Sequence, residues 1–161
     1  MVKKTIEKKK DVQSADNIAA KPHFEPDKVS SETLLNWYKI MILGRKLDEK
    51  APNYLKQALG WSYHAPCAGH DAIQLAIGQV FDRKTDHLFP YYRDMITAIS
   101  AGVTAEEIIL NGISKATDLA SGGRHMSNHF AKPEWNIHNV SSATGNHTLH
   151  AVGVARAMQR Y

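Results

Sequence analysis

A helix-dominated α/β chain is what the sequence predicts, and three observations lead there. Apolar residues recur at helical spacing in several segments. Capping residues stand just ahead of two of those segments, at Ser30-Ser31 and at Thr104. One short run, His87-Leu88-Phe89, has strand character and is ended by Pro90. A length of 161 residues suits one domain, and 43% hydrophobic with 22% charged residues is ordinary for a globular protein.

Residues 1–28 read as a disordered basic arm, and 29–161 as the folded part. The arm is polar, carries Pro22 and Pro26, and has no sustained apolar period. Folding is expected to begin at Ser30-Ser31-Glu32-Thr33, where a serine caps the first free amides and Glu32 suits the positive end of the helix dipole. Leu34, Leu35, Tyr38, Met41 and Ile42 then make one apolar face. Arg45 is placed to pair with Asp48 and Glu49 on the surface. Pro52 predicts a bend or a new helix up to about Leu59. Gly60 to Gly69 is a loop rich in aromatic residues. A second helix follows, with Ile73, Leu75, Ala76, Ile77 and Val80 packing inward. Asp94 to Ala101 is a third, stopped by Gly102, and Thr104 caps a fourth with Glu106 and Glu107 in its first turn.

From Ser121 to Thr148 periodicity disappears for longer than an ordinary connection. Loops beyond about 12–15 residues inside a domain are usually functional or disordered. Met126, Phe130, Trp135 and Ile137 are available to bury this one, which favours function. Leu149 to Met158 reads as a tightly packed small-residue helix. There are no internal repeats.

Several function classes fall away. The net charge of +4 traces to Lys3, Lys4, Lys8, Lys9 and Lys10 against Glu7, and the remainder is balanced. No aromatic residue interleaves those lysines, so a nucleic-acid stacking platform is missing. No apolar run reaches the roughly 18 residues of a membrane span. A secretory signal would need an apolar core after the charges, and a mitochondrial leader would need arginines. Cytoplasmic is the expected setting. The single cysteine, Cys67, excludes a disulfide framework and a cysteine-based zinc site.

Nine histidines raise a metal-binding module as one alternative, but His125 and His129 lack the intervening acid of the zincin pattern. Tyr92-Arg93 is more informative. An arginine opening a helix stands where free amides favour an anion, and its fork can hold two phosphate oxygens, worth about 1.5–3 kcal/mol. The plain alternative is a surface arginine paired with Asp94 or Asp86. Gly122-Gly123-Arg124 either lets backbone approach a ligand or simply makes a tight turn.

Taken in order, these residues resemble the alpha chain of thiamine-diphosphate-dependent 2-oxo acid dehydrogenases. The resemblance rests on Tyr38-x-x-Met41-x-x-x-Arg45-x-x-Asp48, Ala68-Gly69-His70-Asp71-Ala72 and Phe89-Pro90-Tyr91-Tyr92-Arg93-Asp94. It continues through Gly122-Gly123-Arg124-His125-Met126-Ser127-Asn128-His129-Phe130 and Val140-Ser141-Ser142-Ala143-Thr144-Gly145-Asn146-His147. It spans about Ser31 to Tyr161 and leans toward the branched-chain (2-oxoisovalerate) type over the pyruvate type.

The resemblance implies an α/β thiamine-diphosphate-binding fold, of which this is the helix-dominated N-terminal portion. It implies that Tyr92 and Arg93 bind the diphosphate. The Ser142 carbonyl and the Thr144 amide would meet the aminopyrimidine ring, while His129 and His64 line the pocket over the reactive carbon. The implied reaction is oxidative decarboxylation of a 2-oxo acid with the cofactor as electron sink, followed by reductive acyl transfer to a lipoyl arm. The implied partners are a beta chain or beta half, a lipoyl acyltransferase component and the 2-oxo acid, in a hetero-oligomer.

Gly69-His70-Asp71-Ala72 departs from the family's usual Gly-Gln-Glu-Ala at a position expected to be structural. The family's Gly-Asp-Gly motif is expected just beyond Tyr161. The chain would then be truncated before the metal-binding motif, with magnesium supplied by residues beyond this chain, and the isolated chain would be inactive. A non-catalytic remnant that keeps the subunit interface and an acetoin-cleaving dehydrogenase alpha chain are the competing readings.

Overall fold

The computed structural model describes residues 28–57 and 59–159, so the expected basic arm up to residue 27 and the end at Tyr161 lie outside the described residues. The elements run α1 (Ser31–Lys56), α2 (Asp71–Val80), α3 (Met95–Ser100), α4 (Ala105–Gly112), a 3-10 turn (Pro133–Trp135) and α5 (Asn146–Met158). The helical half of the α/β expectation is met. Strands are absent among the described residues, which hold only isolated bridges, Leu88 with Ile137 in parallel and Lys132 with Ile137 antiparallel. Leu88 has one bridge partner, and a single bridge does not propagate into a ladder.

Helix α1 starts where its caps predict. The Ser30 hydroxyl accepts from the Thr33 amide at 3.1 Å, and Glu32 lies in the first turn. Pro52 does not end it, contrary to expectation: α1 runs on to Lys56. Pro52 cannot donate to the Asp48 carbonyl, yet a continued helix keeps Leu47 and Ala51 together in the core, and that packing wins.

The inward faces differ from those read in the sequence. On α1 it is Gly44, Leu47 and Ala51 that are buried, while Leu35 and Tyr38 are exposed. On α2, Leu75 packs inward as expected, but Ile73 is 60% and Val80 80% exposed, Ile77 is exposed too, and Gln74 and Gly78 face inward instead. The cause is polar. Gln74 accepts from the Ile96 amide at 3.1 Å and donates to the Arg93 carbonyl at 2.9 Å, satisfying the start of α3 from inside. Gly78 lets α2 press on α3, since a Cβ there would sit 2.4 Å from Ser100 Cβ and 2.6 Å from the Thr97 carbonyl oxygen.

Helices α3 and α4 match their expected limits. Gly102 (φ +108°) follows α3, and Thr104 forms a full capping box with Glu107. Trp61 fills the gap between the 60–69 loop and α4. It stacks on Tyr54 at 5.6 Å and lies over Gly112, where any side chain would meet its ring. Phe130 and Ile137 from the long 121–148 segment are buried in the same core, as expected, but Met126 is exposed. Helix α5 begins at Asn146 rather than Leu149, and none of its residues is buried. Leu149 is 75% exposed, so the tightly packed helix expected here is an uncovered one.

Candidate functional site

The segments joined by the Leu88–Ile137 bridge lead directly into the site. After Leu88 the chain passes Phe89 and Pro90 to Tyr91-Tyr92-Arg93, and after Ile137 it passes His138 to Ser141-Ser142. Between them lies a cleft of about 130 Å³ lined by Tyr63, Tyr92, Met126, His129 and Ser142. Three depressions are larger: apolar grooves of about 460 and 480 Å³ beside α5 and between α1 and α2, and a polar one of about 230 Å³ at the end of α1. The chemistry-bearing groups collect at the smaller one.

His129 is 2% exposed, and its tautomer follows from its partners. Nδ1 lies 3.0 Å from the Ser127 carbonyl, which only accepts, so Nδ1 carries the proton. Nε2 then accepts from the Ser142 hydroxyl at 2.8 Å. That tautomer of the neutral ring sets its basic nitrogen against a hydroxyl at the cleft wall. The neighbouring His125 ring lies 4.2 Å away, and burial, with His129 beside it, lowers the His125 pKa below its ordinary 6.5.

The aromatic wall is clamped. Ser127 Oγ donates to the Tyr63 carbonyl and accepts from the Tyr63 amide, fixing Tyr63 edge-on to Tyr92 at 5.8 Å. Tyr91 and Tyr92 lean together with ring centroids 3.9 Å apart. The Arg93 guanidinium lies 5.5 Å over the Tyr92 ring, and no ion pair holds it among the described residues. The plain pairing with Asp94 or Asp86 is therefore not formed. Asp94 accepts from the Tyr91 amide at 2.9 Å, and burial raises its pKa. Asp86 is taken by the Asp82 amide at 2.9 Å. Of the first-turn amides of α3, that of Ile96 is taken by Gln74.

Other expected residues fall elsewhere. His64 does not line the cleft. It is half-buried, with a buried Nε2 3.1 Å from Asp48 Oδ1, at ion-pair distance without hydrogen-bond alignment, and Nδ1 3.4 Å from Asn128 Nδ2. Asp48 is likewise not the surface partner of Arg45: its Oδ2 accepts from the Cys67 amide at 2.9 Å and from the Cys67 thiol at 3.2 Å. Burial, reinforced by that carboxylate, pushes the thiol pKa up, so Cys67 is an inert core group. Arg45 instead grips Asp71 with two nitrogens, one contact at 2.8 Å, and Asp71 also accepts from the Gly69 amide. The Arg45 bond holds the Asp71 carboxyl below its ordinary range. The departure at His70-Asp71 is accordingly a structural one. Thr144 is exposed in the turn before α5, two residues on from Ser142.

The Gly122-Gly123-Arg124 segment is a structural turn. Both glycines have positive φ, and a Cβ at Gly123 would lie 2.6 Å from the Ser114 carbonyl oxygen. Asp118 fastens it by accepting from the Ala120, Ser121 and Gly123 amides and the Ser121 hydroxyl, and Ser121 Oγ accepts from the Arg124 and His125 amides. Sequence reading missed Tyr63 and Met126 as cleft residues. Tyr63 was legible only as one of several aromatics in a loop, and Met126 was assigned to the core by its hydropathy.

The donor set suits an organic phosphate: an arginine with no carboxylate partner among the described residues beside a tyrosine, next to a histidine–serine pair and an apolar wall. Among the described residues no group of three His, Cys, Asp or Glu side chains could hold a metal ion. No helix among them is long and apolar enough to cross a membrane.

The chain is similar to the 2-oxoisovalerate dehydrogenase subunit alpha of Bacillus subtilis, 34% identical over 129 residues that make up 80% of this chain and 39% of the relative. It is 32% identical over 130 residues to the 3-methyl-2-oxobutanoate dehydrogenase subunit alpha of Mycobacterium tuberculosis, covering 80% of this chain and 32% of the relative. A pyruvate dehydrogenase E1 component subunit alpha of Acholeplasma laidlawii is 35% identical over 83 residues, 52% of this chain and 24% of the relative. The chain thus spans well under half the length of these relatives. With residues 38–161 matching the family described as the dehydrogenase E1 component, this chain belongs to that family.

Proposed function

We propose that this chain forms the cofactor- and substrate-facing segment of a branched-chain 2-oxo acid dehydrogenase alpha chain. The observation that carries the reading is the meeting of Tyr92, His129 and Ser142 at one cleft, reached from three separate stretches of sequence. Arg93 and Tyr92 take the diphosphate of thiamine diphosphate, the guanidinium supplying charge and a planar fork. The Ser142 carbonyl and Thr144 amide meet the aminopyrimidine ring. Bound thiamine diphosphate supplies the electron sink for decarboxylation.

The residues of this chain hold and orient. His129 Nε2, which accepts from the Ser142 hydroxyl in the ligand-free cleft, takes or returns a proton at the substrate once that hydroxyl turns aside. Tyr63, Tyr92 and Met126 make an apolar wall. At about 130 Å³ the cleft is too small for a whole cofactor, for which pockets run to some 300 Å³ or more. It suits the short branched side chain of 2-oxoisovalerate, with the remaining walls furnished by a beta chain and magnesium by residues beyond this chain. His64 acts behind the cleft as a support for Asn128 rather than as a catalytic group.

The test is to combine the chain with a beta chain and measure thiamine diphosphate binding and turnover of 3-methyl-2-oxobutanoate against pyruvate, with a lipoyl acceptor present. Cofactor uptake supports the reading, and a branched-chain preference supports its substrate assignment. No cofactor uptake together with tight binding to the beta chain would favour a non-catalytic interaction module, a second reading that the uncovered face of α5 supports.

A further inference from the structure

His87 and His138 sit on either side of the Leu88–Ile137 bridge and bond to each other. His87 Nδ1 and His138 Nε2 are 2.7 Å apart, the rings are 8° from parallel, and their centroids lie 5.0 Å apart. Those values together describe two nearly coplanar imidazoles meeting nitrogen to nitrogen, rather than face to face. Phe89 stacks on His138 at 4.6 Å and covers one side of the pair. The backbone repeats the connection, with the Leu88 amide donating to the Asn136 carbonyl at 2.9 Å and the His138 amide donating to the Leu88 carbonyl at 2.8 Å. Five residues beyond His87 stands Tyr92, and four beyond His138 stands Ser142.

We propose that the His87–His138 bond is a positioning clasp that sets the spacing of the two segments furnishing Tyr92 and Ser142, and that it opens when both rings are charged. The proposal rests on the reading of the Tyr92–His129–Ser142 cleft as the ligand site. An N–H···N bond needs one protonated and one bare nitrogen at the junction. The first added proton goes to an outward nitrogen and turns the bond into a stronger charge-assisted one. A second proton puts hydrogens on both facing nitrogens and the bond is lost. Burial and the neighbouring His87 hold His138 below its ordinary pKa, so the second charge is resisted.

Among the described residues no carboxylate is paired with either ring. Asp86, next in sequence, is occupied by the Asp82 amide and the Thr85 hydroxyl. Arg83 lies over Trp135 at 4.6 Å, and Lys132 is held by Glu107 and the same ring. From α5, His150 faces Phe89 at 6.5 Å, while the groove beside His87 is lined by uncharged Ala151, Val154, Ala155 and Met158.

The experiment uses the full chain with 15N-labelled histidine and backbone, comparing wild type, His138→Leu and His138→Gln. The leucine variant removes the bond, and the glutamine variant can restore it. In wild type a coupling between the two junction nitrogens is expected, persisting through the first imidazole titration and vanishing with the second. In His138→Leu, hydrogen exchange at the amide of Leu88 should rise by about tenfold. The Tyr92 and Ser142 amide signals should shift with it, and His138→Gln should recover both. Unchanged Tyr92 and Ser142 signals in His138→Leu, or no nitrogen–nitrogen coupling in wild type, overturns the clasp. If His138→Leu does not fold, the wild-type titration decides: cleft signals that ignore the second protonation also overturn it. All these readouts are taken without ligand. A chain that shows the clasp but takes up no thiamine diphosphate, added as the free compound, would count against the functional reading alone.

Discussion

Arg93 and His129 serve the proposed site through different physics. Arg93 is a half-exposed charge with no carboxylate partner among the described residues, so an anion can claim it without first breaking an ion pair. Arg93→Gln should weaken thiamine diphosphate binding by about ten- to a hundredfold, the worth of about 1.5–3 kcal/mol of charge-assisted bonding, read by calorimetric titration of the assembled protein. An affinity unchanged by the substitution would remove Arg93 from the site. His129 is buried, and its value lies in a fixed tautomer. Ser142→Ala deletes the Nε2 partner while leaving the Ser127 carbonyl, and should lower turnover more than cofactor affinity.

Two histidines also set an acid limit. His125 and His138 are both lowered, chiefly by burial, so the folded protein resists protons that the unfolded chain accepts. The stability they contribute is fully present above the unfolded value of about 6.5 and is lost as pH falls through their folded values. The urea midpoint should therefore drop between about pH 7 and pH 5.5, before carboxylate titration begins. A flat midpoint across that interval contradicts it. The motif residues were legible at this scale, but their partners were not. Asp48 looked like an exposed partner for Arg45 at helical spacing, and only the fold turns it inward to Cys67 and His64.

Among the elements, caps and stops were legible because they are local chemistry. Ser30, Thr104 and Gly102 do what their side chains, or the lack of one, dictate. Thr104→Ala should cost about 1 kcal/mol in a denaturant titration by deleting the hydroxyl that accepts from the Glu107 amide, while the backbone amide at 104 keeps its bond to the Glu107 carboxylate. The buried faces were not legible, because periodicity reveals an apolar face without saying what covers it. On α2 the aliphatic residues Ile73, Ile77 and Val80 point outward, while Gln74, only 4% exposed, goes in to serve the α3 backbone. Gln74→Leu should cost about 1–3 kcal/mol through the unsatisfied Ile96 amide. Gly78→Ala should cost a similar amount, about 1–3 kcal/mol, because overpacking against the Thr97 carbonyl outweighs the gain in helix propensity.

For the whole molecule, the family was legible from the order of five weak motifs, although the strand content expected with it is not found among the described residues. The uncovered apolar side chains of α2 and α5 give the chain a face that water does not favour. Sedimentation at rising concentration should show self-association, reduced by Leu149→Gln with Val152→Gln, both of which lie on that exposed helix. A monomer at every concentration would mean that the face is less adhesive than its composition implies.

The central claim is that the Tyr92-Arg93 turn and the Ser142–Thr144 turn grip one cofactor. Thiamine diphosphate titrated into the 15N-labelled chain with magnesium present tests it most directly. The amides of Tyr92 and Arg93 and those of Ser142 and Thr144 should shift along one shared saturation curve. Shifts confined to one of the two turns, or following two different curves, would contradict it.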